Sequence, residues 1–288
     1  SVDTTSPDTA ADNIAIGNAA LTANLDGNSN VGIGSSALTA NTTGSNNVAI
    51  GASALDANTT GEANTSVGKG SLSGNSTGAS NTAVGKGALN DNTQGNYNVA
   101  VGALSLDADT KGSTSVAVGY QALTAQNFTT ATDVFNTAVG YASGLAVTTG
   151  KSNTFIGGET GKANSTGENN TFIGHEAGEA NTTASNNTAV GRDALTNNTT
   201  GEVNSAFGTS ALFTNTTGYG NTAVGKNALY TNNGNNNTAV GHEALELTST
   251  GSDNTAVGRE ALEENTTGNY NTAVGYRAAD SVTTGTYN

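Results

Sequence analysis

Acidic and imidazole side chains recur in this sequence of 288 residues at spacings that could bring them together. His175 is followed by Glu176 and His242 by Glu243, and Glu159, Asp193 and Glu260 stand at places equivalent to those glutamates. Lys69, Lys86, Arg192, Lys226 and Arg259 share the position of the two histidines, as do Tyr120, Tyr141 and Tyr276. Two chemistries are conceivable. Neighbouring carboxylates such as Glu159 and Glu176 could divide acid and base roles in glycoside hydrolysis. An imidazole beside carboxylates could ligate a metal. Both need a cleft, and a position that accepts Lys, Arg, His, Tyr, Asn and Ser alike reads instead as a solvent-facing rim. Its charges are expected to pair between neighbouring repeats or chains, each pair worth little on an exposed surface. Neither a G-G-x-G-x-D repeat nor a D-x-D-x-D-G loop for calcium occurs. N-x-T triplets such as Asn41-Thr42-Thr43 match a glycosylation acceptor only incidentally, as turn chemistry. No catalytic, cofactor-binding or metal-ligating residue is expected, and the chain is read as a non-enzyme.

The elements that hold these residues repeat. The glycine of the recurring "AVG" falls at Gly17, Gly34, Gly51, Gly68, Gly85, Gly102 and Gly119, each seventeen residues after the last. After a step of twenty-one come Gly140, Gly157, Gly174, Gly191, Gly208 and Gly225; Gly241 follows after sixteen, then Gly258 and Gly275. Such a period points to a solenoid, here of sixteen coils over residues 12–288 after a lead-in at 1–11. Asn stands four before the glycine in fifteen of the sixteen repeats, with Ser115 the exception. Val, Ile or Phe stands one before it, and Thr, Val, Ile or Ser205 three before it, so a β-strand ends at each glycine. The residue between them is small in fourteen repeats. A strand without a polar face is expected to be buried on both faces. A small residue and then Leu, three and four after the glycine, read as a second short strand. The following Asn-Thr-Thr-Gly reads as a turn whose Gly or Asn takes a positive φ.

Stacked coils would place identical residues about 4.7–4.9 Å apart, turning the Asn columns into ladders of amides. Phe155 and Phe172 replace the small strand residue in two repeats, and in those two repeats Leu becomes Gly161 and Gly178. Close packing demands this if the two positions face each other. The Thr/Val and Val/Ile columns then face the other way, and a coil this thin needs another chain to cover them. A homotrimeric rod is expected, about 75 Å long at the strand spacing.

Composition narrows the function. The net charge of -14 with nine basic residues offers no footprint for nucleic acid, and no run of about 18 apolar residues spans a membrane. The absence of Cys excludes a disulfide framework and agrees with an extracellular location, and the absence of Met is read as the mark of an excised piece of a longer protein.

The stretches Asn47-Val48-Ala49-Ile50-Gly51, Asn13-Ile14-Ala15-Ile16-Gly17 and Ser115-Val116-Ala117-Val118-Gly119 resemble the N-S-V-A-I-G signature of trimeric autotransporter adhesin heads, and similar "NTAVGxxAL" arrays occur in phage tail-fibre proteins. The resemblance covers nearly the whole chain. It implies a left-handed parallel β-roll whose three chains bury their inner faces together, and a structural fibre that attaches to a cell surface. The seventeen-residue coil is longer than the adhesin repeat, which favours the tail-fibre kind. The expected partners are further copies of the chain and a cell-surface receptor or other fibre components. An ice-binding solenoid is a rival, because ten repeats carry Thr three before the glycine, although Val31, Val48, Val99 and Val116 interrupt that column. A polysaccharide-degrading spike is a third reading.

The repeat breaks once, at 126–135, where the chain reads "QNFTTATDVF" and loses its usual turn. Insertions in solenoids form surface loops. Phe128 and Phe135 are expected to fold inward, one or both helping to fill the space left by Gly144; the alternatives are an aromatic knob contacting a receptor or a neighbouring fibre protein, and an uneventful exposed loop.

Overall fold

The computed structural model describes residues 10–288, so most of the lead-in at 1–11 lies outside the described residues. The chain divides into two compact units, one ending at Thr149 and one beginning at Gly150. The first contains the strands Ile14–Ile16, Val31–Ile33, Val48–Ile50, Thr65–Val67, Thr82–Val84, Val99–Val101, Val116–Val118 and Thr137–Val139. The second contains Thr154–Ile156, Thr171–Ile173, Thr188–Val190, Ser205–Phe207, Thr222–Val224, Thr238–Val240, Thr255–Val257 and Thr272–Val274. Within each unit every strand pairs in parallel with the next, equivalent repeat positions opposite each other: Ala49 lies against Ser66 and Thr171 against Thr188. No helix occurs among the described residues. Sixteen such strands bound about 15 coils of a parallel β-solenoid, one fewer than the glycines count, because a coil closes only between two strands.

The repeat glycine is required twice over. Gly51 has φ +137, a region closed to L side chains, and a Cβ there would stand 2.5 Å from the carbonyl oxygen of Gly68 in the next coil. The turn glycine three after Asn41 is different. Gly44 does not have a positive φ, contrary to the turn expected there; a Cβ would instead meet Asn41 Oδ1 at 2.6 Å and Asn58 Nδ2 at 2.9 Å. The positive φ falls beyond it, on residues such as Asn46 (φ 62) just before the strand.

The expected second strand is not one. The small-Leu segment is a turn in which alternate residues are left-handed, Ser36 at φ 60 and Leu38 at φ 52. Their N–H groups point to opposite neighbours: Ser36 donates to Asn18 O at 2.8 Å and Leu38 to Ala54 O at 3.1 Å. The chain therefore bends while keeping its bonds between coils. A left-handed residue other than glycine costs about 1–2 kcal/mol, and complete burial of a leucine, as at Leu38 and Leu55, returns about 1.5–3 kcal/mol.

Inside each coil the leucine meets the central strand residue. Ala49, Ala54 and Leu55 are all fully buried. Phe155 and Phe172 are also fully buried and stacked with centroids 5.4 Å apart. A Cβ on Gly161 would lie 2.8 Å from Phe155 Cε1, and one on Gly178 would strike the Phe172 ring. The exchange of Leu for Gly opposite Phe is thus a packing compensation. Ser66 and Ser71, which replace both small residues of another coil, answer each other by a hydroxyl contact of 2.6 Å.

The other half of the interior is polar. Asn41, Asn58, Asn75 and Asn92 form a ladder in which each Nδ2 donates to the Oδ1 one coil before, at 2.8–2.9 Å. The strand-start column works differently: the backbone N–H of Asn64 donates to Asn47 Oδ1 at 3.0 Å, while Asn64 Nδ2 donates to Gly78 O at 2.9 Å. Gly78 O also accepts from Asn75 Nδ2 at 3.0 Å, so the buried carbonyl is held by two amides wherever both columns carry Asn. Gly112 O and Gly251 O, where Asp109 and Thr248 interrupt the turn column, accept from Asn98 and Asn237 alone.

The facing of Phe155 and Gly161 gives a double-mutant test. Phe155→Ala is expected to cost about 3–5 kcal/mol, and Gly161→Leu alone to destabilise by overpacking. The double variant should recover more than about half of the Phe155→Ala loss, read as coupling in denaturant titrations.

Candidate interaction surface

The three-residue strands alternate. The central residue points in, and the two flanking columns point out, half-buried to exposed along both units. Ile50, Ile156, Phe207 and Val240 leave 37–41% of their surface exposed. The chain by itself thus buries one strand face and not both, because seventeen residues close into a single layer with nothing behind the sheet. The expected orientation of the columns holds.

The irregular coil separates its two phenylalanines. Phe128 is 7% exposed, whereas Phe135 is 60% exposed. Phe135 occupies the position five before the repeat glycine that Tyr97 and Tyr270 occupy elsewhere, and like them it has a left-handed φ and an outward side chain. The inserted residues are only partly loop. Thr132–Asp133 pairs in parallel with Gly112–Ser113, and Val134 beside it is fully buried. A substitute network carries the interior through this coil. Gln126 Nε2 donates to Asp109 Oδ2 at 2.7 Å and to Ser115 Oγ at 3.0 Å, and Asn136 Nδ2 donates to Gln126 Oε1 at 2.9 Å. The signal for it lay in the sequence: Asp109, Ser115 and Gln126 are three successive departures from the Asn columns.

The charged columns lie on the rim. Lys162 bridges Glu159 at 2.8 Å and Glu179 at 3.6 Å, and Arg277 reaches back one coil to Glu260 at 3.3 Å. The hydrogen bond from Lys162 holds the Glu159 carboxyl below its ordinary pKa, the wrong direction for a general acid. His175, Glu176 and Asp193 gather within 4.8 Å, as do Glu243, Glu246 and Glu263. Arg192 Nε already pairs with Asp193 at 3.1 Å, and His175 is exposed. Burial, then the charges of Glu243 and Glu263, raises the Glu246 pKa. No protein-family model matches the sequence, and no curated protein matches it.

Substituting Ser for each phenylalanine separates their roles. Phe128→Ser is expected to lose about 3–5 kcal/mol of stability, as for other buried phenylalanines. Phe135→Ser should stay within about 0.5 kcal/mol; thermal melts of the two variants check both.

Proposed function

We propose that this chain is a non-enzymatic structural segment of an attachment fibre, a homotrimer carried outside the cell on a virion or cell surface. The observation that carries the reading is the outward column of Val, Ile and Phe one before each repeat glycine, unpartnered in the single chain along each unit. A continuous apolar column of this kind suits burial against a copy of itself, since the same spacing recurs on both sides. Each coil contacts its neighbours only, so a fibre of this construction changes length by adding repeats. The likeness of the repeat to trimeric adhesin heads and tail-fibre arrays supports three copies and a cell-surface partner. In sedimentation equilibrium the chain should run at three times its monomer mass of 28.3 kDa. Ile156→Lys with Ile173→Lys should dissociate it. A monomer at all concentrations overturns the reading.

A second reading is favoured by one observation. The Thr column, at Thr154, Thr171 and Thr188, stands beside Ile156, Ile173 and Val190 on the same outward, regularly spaced sheet face. That arrangement could order water as an ice-binding face. Thermal hysteresis of the purified chain, lost on Thr171→Lys, would establish it; freezing behaviour like that of a control protein at equal concentration would dismiss it.

A further inference from the structure

A hollow of about 300 Å³ opens on the rim of the first unit. Two glycines create it. The position two after the repeat glycine carries Ser36, Ser53, Gln121 or Glu159 in other coils, but Gly70 and Gly87 in two successive ones. A Cβ on Gly70 would meet nothing nearer than Asn90 Oδ1 at 3.8 Å, and one on Gly87 would approach Leu104 Cδ2 at 3.2 Å.

The charges around this space are unusual for the chain. Lys69, Lys86 and Lys111 are the only basic residues before position 150, and the first two line the hollow one coil apart. Both are exposed, and among the described residues neither lies within ion-pair distance of a carboxylate, as is true also of Lys111 and Lys226, whereas Lys151, Lys162 and the three arginines are paired. Asp107 lines the same space. Burial, followed by the Asp91 charge, raises its pKa. Asn90 Oδ1 accepts one bond, from Ser73 Oγ at 2.7 Å, and has a second lone pair to offer. Leu104 adds an apolar contact.

An inorganic anion would answer the lysines but be opposed by Asp107 and gain nothing from Leu104. A neutral sugar would leave the two ammonium groups unanswered. A ring with one carboxylate, neighbouring hydroxyls and a C–H face uses every group. We propose that the hollow binds an acidic monosaccharide unit, its carboxylate at Lys69 and Lys86, its hydroxyls donating to Asp107 and Asn90, and its C–H face on Leu104. The volume lies at the low end of ligand pockets, about 300–1,000 Å³, which fits one ring rather than a chain of them. The inference does not rest on the fibre reading, since all the residues belong to one unit of one chain.

The test is an NMR titration of the full chain with sodium glucuronate, following the Asn90 side-chain amide. Saturable shifts are expected, with glucose and sodium acetate binding more weakly by about fivefold or more. Lys69→Ala with Lys86→Ala should weaken glucuronate by about fivefold or more, as for two exposed charge contacts. Gly70→Asn, the residue this column holds at Asn227, should weaken it similarly by filling the space. Circular dichroism checks that both variants stay folded. No saturable shift with glucuronate, equal binding of acetate or glucose, or unchanged affinity in the folded lysine variant would overturn the proposal.

Discussion

The buried carbonyl of the turn glycine governs much of this molecule. A coil of seventeen residues is one layer thick, and its turn has to pass through the interior with its backbone oxygen turned away from water. Left unpaired, such a group costs about 1–3 kcal/mol, and the cost recurs in every coil. Two asparagines meet it: at Gly78 O, Asn75 from the same turn and Asn64 from the strand start fourteen residues earlier. Their own oxygens then take donors from neighbouring coils, so the side chains as well as the backbone enforce the stacking. Asparagine suits both columns because its short amide donates and accepts at once. Where Asp109 and Ser115 break the columns, the longer Gln126 spans the gap; where Val282 replaces the next Asn, Asn265 Oδ1 is left without a partner.

The apolar half of the interior answers to the same thinness. It has room for one leucine and two small residues per coil, so any enlargement must be matched by a loss across the space, as between Phe155 and Gly161. The leucine reaches that space only through a left-handed turn, and the glycines at 161 and 178 relieve the backbone as well as making room. The remaining apolar residues, Ile50 and its equivalents, have no interior left to enter and stand on the outer face of the sheet. The property that makes the coil economical therefore also makes it a surface in need of a partner.

The sequence by itself determined whatever repeats along the stack. Strand position, parallel register, the glycine at each strand end, the amide ladders and the Phe–Gly exchange were all legible, because identical residues one period apart must lie side by side. Three things were decided only by tertiary structure. The small-Leu pair reads the same whether extended or turned, since the sign of φ at a residue such as Leu38 is set by where its side chain must pack and not by its identity. Phe128 and Phe135 carry the same side chain in one irregular segment; the inserted residues shift one into the interior and leave the other on an outward column. Gly70 and Gly87 frame a hollow only because stacking sets them beside two lysines and a half-buried aspartate. Periodicity specifies neighbours along the axis, whereas the direction a side chain takes within a coil depends on the space its neighbours leave.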